Sequence, residues 1–233
     1  MAQAILFAVL ASSALPIGAA IGIWATPPKR VTAALLAFAS GALITAVAFE
    51  LFEDAYRAGP ERAAIAFVAG ATVFIVADSW LERRTHAKAA AGASVGFALL
   101  LGVTLDGVPE NLAMGVSLLE SGGLTLLVAI FASNLPEALV GAKKMRDAEL
   151  SPALVMLIWV GAAVLLAIPV VVGYATLEGV APSTLAWPLG FAAGAVLASL
   201  ADTLMPEAFE EGGPSVAYAT ALGFLVSFVV STL

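Results

Sequence analysis

The sequence predicts an all-α integral membrane protein: one domain over residues 1–233, a bundle of eight transmembrane helices with inverted-repeat (3+2+3) character. Three observations predict it. The first is composition. Of 233 residues, 61% are hydrophobic and 12% charged, with a mean hydropathy of +1.03; a soluble domain carries about 25% charged residues. The second is run length. The apolar residues fall in runs of about 20, enough for a helix to cross about 30 Å of hydrocarbon. Only helices or closed barrels satisfy their backbones there, and the runs are too long and too poor in alternation for barrel strands of about ten residues. The third is a pair of internal similarities, described below.

Eight runs follow in order: 4–25, 31–52, 61–81, 92–119, 123–142, 152–178, 184–205 and 214–233. The connectors between them, 27–30, 53–60, 82–88, 120–123, 143–149, 178–182 and 206–214, hold most of the charge and the turn residues. The first run lacks a basic flank, contains Pro16 and leads into further spans, so a cleaved signal peptide is not expected. Residues 87–93, rich in alanine, are expected to lead into the fourth helix. The first, third and fifth connectors hold Lys29, Arg30, Arg83, Arg84, Lys88, Lys143, Lys144 and Arg146, against Arg57 and Arg62 in the even ones. By the positive-inside rule the odd connectors face the cytoplasm and both termini face outward, in the cell membrane. The seventh connector is acidic (Glu207, Glu210, Glu211), but acids count for little in that rule.

Residues 41–56 read GALITAVAFELFEDAY and residues 194–209 read GAVLASLADTLMPEAF. Leu51 aligns with Leu204 and Asp54 with Glu207. These segments belong to the second and seventh runs. Residues 108–115 (VPENLAMG) and 135–141 (LPEALVG) are alike in the fourth and fifth. Each pair should cross in opposite directions, the mark of inverted-repeat transporters; chance likeness among helices rich in Ala, Gly and Leu is the alternative.

Ionisable residues deep in a span cost about 2.5–3.5 kcal/mol each and are functional by default. The fourth run is centred on Asp106, Pro109, Glu110 and Asn111, and the fifth on Ser133, Asn134, Pro136 and Glu137. Asp106 and Glu110 are four apart and share a helical face, as do Ser133 and Glu137. Pro109 cannot donate to Leu105, nor Pro136 to Ala132, so each helix exposes an extra carbonyl oxygen. The expected result is an oxygen-rich cage with up to three negative charges, suited to a divalent cation. The alternative is a pair of proline kinks whose carboxylates are protonated or hydrogen-bonded. Glu50 and Asp202, at the ends of the second and seventh runs, are candidate gates or a secondary site, with Thr203 beside Asp202. Asp78 is expected to pair with Arg83 or Arg84, and His86 to be a solvated loop residue. Absence of cysteine excludes disulfides and thiolate sites.

At these motifs the chain resembles the ZIP family of divalent metal-ion transporters, over nearly its whole length. That pattern has eight helices with both termini outside and a metal site on the fourth and fifth. Its fourth-helix motif, His-Asn-x-Pro-Glu-Gly, stands here as Asp106-Gly107-Val108-Pro109-Glu110-Asn111; the fifth-helix motif stands as Ser133-Asn134-Leu135-Pro136-Glu137. Residues 49–55 and 202–208 resemble the family's Leu-x-Pro-Glu-Ala endings. Both motif histidines are replaced, by Asp106 and Ser133, the asparagine by Gly107 and the second-motif acid by Asn134. The resemblance implies Asp106, Glu110, Asn134 and Glu137 as ligands, Ser133 as a weaker one and Asn111 as an extra oxygen. It implies uptake of zinc, iron, manganese or cadmium, with the metal as transported substrate and no resident cofactor.

Three other functions compete: a proton-coupled transporter of another solute using the same carboxylates, a transport-inactive sensor or scaffold, and an intramembrane enzyme. No nucleophile–histidine arrangement supports the last, and no enzyme activity is expected. Expected partners are the lipid bilayer and divalent ions, with a homodimer as the assembly to test. The net charge of −7 argues against nucleic acid.

Overall fold

The computed structural model describes residues 1–25, 27–89, 95–119 and 123–232, and only the backbone of 82, 84–89 and 95–99. All regular structure among the described residues is helical. α1 spans Ala2–Trp24. α2 spans Lys29–Ala46 and continues through a π-helical stretch, Val47–Phe52, into Glu53–Ala58. α3 is Pro60–Ala89, α4 Val95–Ser117, α5 Leu124–Asp147 and α6 Pro152–Leu177. α7 spans Pro182–Ser199 and continues through π-helical Leu200–Leu204 into Met205–Gly212. A 3-10 turn, Gly213–Ser215, with Gly213 at φ 66, leads to α8, Val216–Ser231.

Six stretches are long and apolar enough to cross a membrane: Ala2–Trp24, Lys29–Ala58, Pro60–Leu81, Leu124–Asp147, Pro152–Leu177 and Pro182–Ser231. The sixth covers the seventh and eighth runs together. The fourth run, whose helix carries Asp106, Glu110 and Asn111, is not among them. Large apolar side chains such as Leu6, Val9, Ile65, Val68, Leu157, Val164 and Leu225 are exposed on the outside. Such a surface is stable against hydrocarbon and not against water.

Several expected connectors are helical. Residues 53–58, 82–88, 143–147 and 206–212 extend the helices beyond their apolar runs, because Glu, Lys, Arg and Ala are good helix formers. Glu50 and Asp202 therefore do not end their helices; each sits in a π-helical stretch within a longer one. His86 lies on the α3 backbone and not in a loop, and its side chain is outside the described residues, as are that of Arg84, the lead-in 90–94 and residues 120–122 of the fourth connector.

The helices pack as two groups. α1, α4, α5 and α6 form one, through α1–α5, α1–α6 and α4–α6; α2, α3, α7 and α8 form the other, through α2–α8 and α3–α7. They meet along α2–α5 and α4–α7. With no hydrophobic drive between helices in lipid, close approach relies on small residues and interhelical hydrogen bonds. In α2–α8, a Cβ on Gly41 would stand 1.9 Å from Thr220 O, and one on Gly223 1.9 Å from Phe38 O. In α3–α7, the same distances separate Gly194 from Phe67 O and Gly70 from Phe191 O. Thr45 and Ser227 add hydrogen bonds to Phe224 O (3.1 Å) and Ala42 O (3.2 Å) across α2–α8.

These two crossings correspond residue by residue. Phe38, Gly41, Phe67 and Gly70 each have their counterpart 153 positions on, in Phe191, Gly194, Thr220 and Gly223. The same spacing relates Pro16 to Pro169, the last residues of α1 and α6 (Trp24, Leu177), the first of α2 and α7 (Lys29, Pro182), and the onsets of the two π stretches (Val47, Leu200). One consequence is testable. Gly41→Val and Gly194→Val should each destabilise the bundle by at least the cost of overpacking, about 1–3 kcal/mol. Gly161→Ala should not, because nothing lies within 4 Å of its added Cβ. Thermal unfolding in detergent measures both.

Candidate functional site

α4 and α5 each carry a proline inside the helix, Pro109 and Pro136, followed at once by Glu110 and Glu137. Glu110 is buried at 7% exposure, and Asp106 and Glu137 are half-buried. The Asp106 carboxylate acts electrostatically on Glu110, and both act on Glu137. The acids of the two proline motifs thus lie near enough to act on one another.

The buried amides complete the motifs. Asn111 is fully buried; its Nδ2 donates to Gly107 O at 2.8 Å and its Oδ1 has no hydrogen-bond partner. An unpaired buried acceptor is costly, and a hydrogen-bond donor or a cation would satisfy it. Asn134 is buried with its Nδ2 unpartnered. Turning that amide over exchanges its nitrogen for Oδ1, since the two ends differ only in their hydrogen bonds. Ser133 is buried and donates to Ile130 O at 3.0 Å, leaving oxygen lone pairs free to accept. Gly107, where the ZIP pattern has asparagine, leaves space that Leu166 of α6 fills: a Cβ there would stand 2.5 Å from Leu166 Cδ1.

No three His, Asp or Glu side chains converge closely enough to hold a metal ion among the described residues. Asp106, Glu110 and Glu137 nevertheless act on one another in every pairing, and further carboxylates lie beside them. Asp106 has Ser199 within hydrogen-bonding reach and feels the carboxylates of Asp78 and Asp202. Asp202 is exposed on the π stretch of α7, while Thr203 bonds back to Ser199 O at 2.8 Å. Glu137 also feels Glu207, which is paired with Lys144 at 2.5 Å. Glu50 stands apart. Its Oε2 accepts from Leu126 N–H, 2.9 Å away, at the start of α5.

Sequence reasoning missed Asp78, Ser199 and Glu207 as neighbours of the site. Asp78, expected beside Arg83 or Arg84, acts on Asp106. Glu207 reads in the sequence as a connector acid aligned with Asp54, not as a neighbour of Glu137. Its alignment with Asp54 and its Met-Pro-Glu-Ala setting were the available signal.

Beside Lys144 a cavity of about 220 Å³ opens between α2, α5 and the end of α7. Lys29, Lys143, Lys144, Glu207 and Glu211 line it, and Lys29 pairs with Glu211 at 2.8 Å. No protein-family model matches the chain, and no curated protein is significantly similar to it.

Proposed function

We propose that this protein carries divalent transition-metal ions across a membrane, with Asp106, Glu110, Asn111, Asn134 and Glu137 as oxygen ligands at mid-depth, in the manner of the ZIP family it resembles. One observation carries the reading. Three acids and two buried amides, Asn111 with an orphaned oxygen, lie together on two proline-interrupted helices of an apolar bundle. A dehydrated divalent ion needs several oxygens and enough negative charge to replace its hydration shell. Further carboxylates beside these, Asp78 and Asp202 next to Asp106 and Glu207 next to Glu137, suit an ion handed along a path better than one held for good.

The proposal includes eight crossings, related as an inverted repeat of α1–α3 with α6–α8 about the α4–α5 pair. The matched crossings α2–α8 and α7–α3 support it, since they are what such a relation requires. Alternating access then means one helix group rocking against the other across α2–α5 and α4–α7. Purified protein in liposomes should admit manganese, ferrous iron or zinc down a gradient; no flux of any of these would leave the scaffold reading.

Orientation follows from the basic residues. Lys29, Lys88 and Lys144 should face the cytoplasm, with Arg57 and both termini outward, in the cell membrane. Single cysteines at these positions can be probed with an impermeant thiol reagent on intact cells. Labelling at 88 or 144 from outside would reverse the assignment.

A further inference from the structure

We propose that α5 is latched at its two ends to the opposite helix group, and that the two latches hold opposite faces of the transport path closed. The inference rests on the two-group reading of transport. At one end Glu50 of α2 accepts a hydrogen bond from Leu126 N–H at 2.9 Å, with Thr125 also in reach. Leu126 is the third residue of α5, so its amide has no acceptor within the helix. The carboxylate also meets the positive end of the helix dipole. At the other end Lys144, in the last turns of α5, pairs with Glu207 of α7 at 2.5 Å.

Both contacts cross the boundary between the groups. Their partners hang on the parts of α2 and α7 where the register shifts: Glu50 lies within one π stretch and Glu207 lies three residues past the other. Helices often adjust at such stretches. Glu137 lies between the latches on α5 and feels both Lys144 and Glu207. An ion leaving Glu137 toward that end therefore meets a carboxylate already held by an ammonium. The pair Lys29–Glu211 lines the same cavity but joins α2 to α7 within one group, so it cannot latch one group to the other.

The chain has no cysteine, so Val140→Cys places a single thiol in the cavity wall beside Lys144. In nanodiscs, where both faces are open, an uncharged maleimide reports the opening of that cavity. Lys144→Gln and Glu207→Gln should each speed labelling about two- to fivefold, the effect of losing an exposed ion pair on a two-state balance. The charge-reversed double variant, Lys144→Glu with Glu207→Lys, should restore the original rate. Glu50→Gln should slow labelling, because it frees the other end of α5. Lys29→Gln, which removes the same charge from the same cavity, should change little. Unchanged rates in both Lys144→Gln and Glu207→Gln, an equal rise in Lys29→Gln, a rise in Glu50→Gln, or no recovery in the double variant would each overturn the latch. None of these results touches metal flux through Glu110 and Glu137, so the latch can fail while the transport reading stands.

Discussion

Glu110→Gln and Glu137→Gln should each abolish divalent-metal flux while the protein still folds and inserts. Glutamine keeps the size of the side chain and removes the charge that balances the ion. Removing one partner of a buried charge pair costs about 3–5 kcal/mol, a loss of roughly two to four orders of magnitude in binding. The fold should tolerate the change, because an empty site gains from losing a buried negative charge that feels its neighbours: Asp106 acts on Glu110, and both act on Glu137. Tracer uptake into liposomes, alongside thermal unfolding of each variant, separates the two effects. Flux near wild type in both would move the site elsewhere and favour the scaffold reading.

Asp106→His should shift selectivity toward zinc and cadmium. Imidazole suits zinc, while carboxylate and amide oxygens suit harder ions such as manganese. In the chain as it stands, cysteine is absent and the one histidine lies on α3. Oxygen donors thus dominate around Asp106, whose neighbours are Ser199, Asp78 and Asp202. The divalent affinity order still favours zinc over manganese at any given site, so the expectation concerns the ratio. In a competition flux assay the variant should raise zinc relative to manganese by several-fold. A folded variant with an unchanged ratio would remove Asp106 from the ligand set.

What was legible in the sequence follows from what each signal measures. Apolar runs located the helices, because hydrocarbon demands them. The two Pro-Glu motifs located Glu110 and Glu137, because a buried acid after a proline is rare enough to stand out. The likeness of residues 41–56 to 194–209 extends, in the structure, to shared helix ends, shared π stretches and reciprocal glycine contacts. The helix ends themselves were not legible. Apolarity stops at the membrane surface, while Glu53–Ala58 and Met205–Gly212 continue as helix in polar residues. Pairings between distant segments were not legible either. Lys144 and Glu207 read as topology signals, and nothing in their local sequence says that they meet. Nor could local sequence show that Ser199 and Asp202 of α7 stand beside Asp106. That depends on how α4 sits against α7.

The most direct test of the central claim is anomalous scattering from crystals of the protein soaked in turn with manganese, iron, cobalt, zinc and cadmium. The account predicts a metal peak between α4 and α5, within about 2.0–2.6 Å of carboxylate oxygens of Glu110 or Glu137 and next to Asn111 Oδ1, and no such peak in Glu110→Gln. Metal found only at the surface acids, with the α4–α5 region empty at saturating concentration, would contradict it.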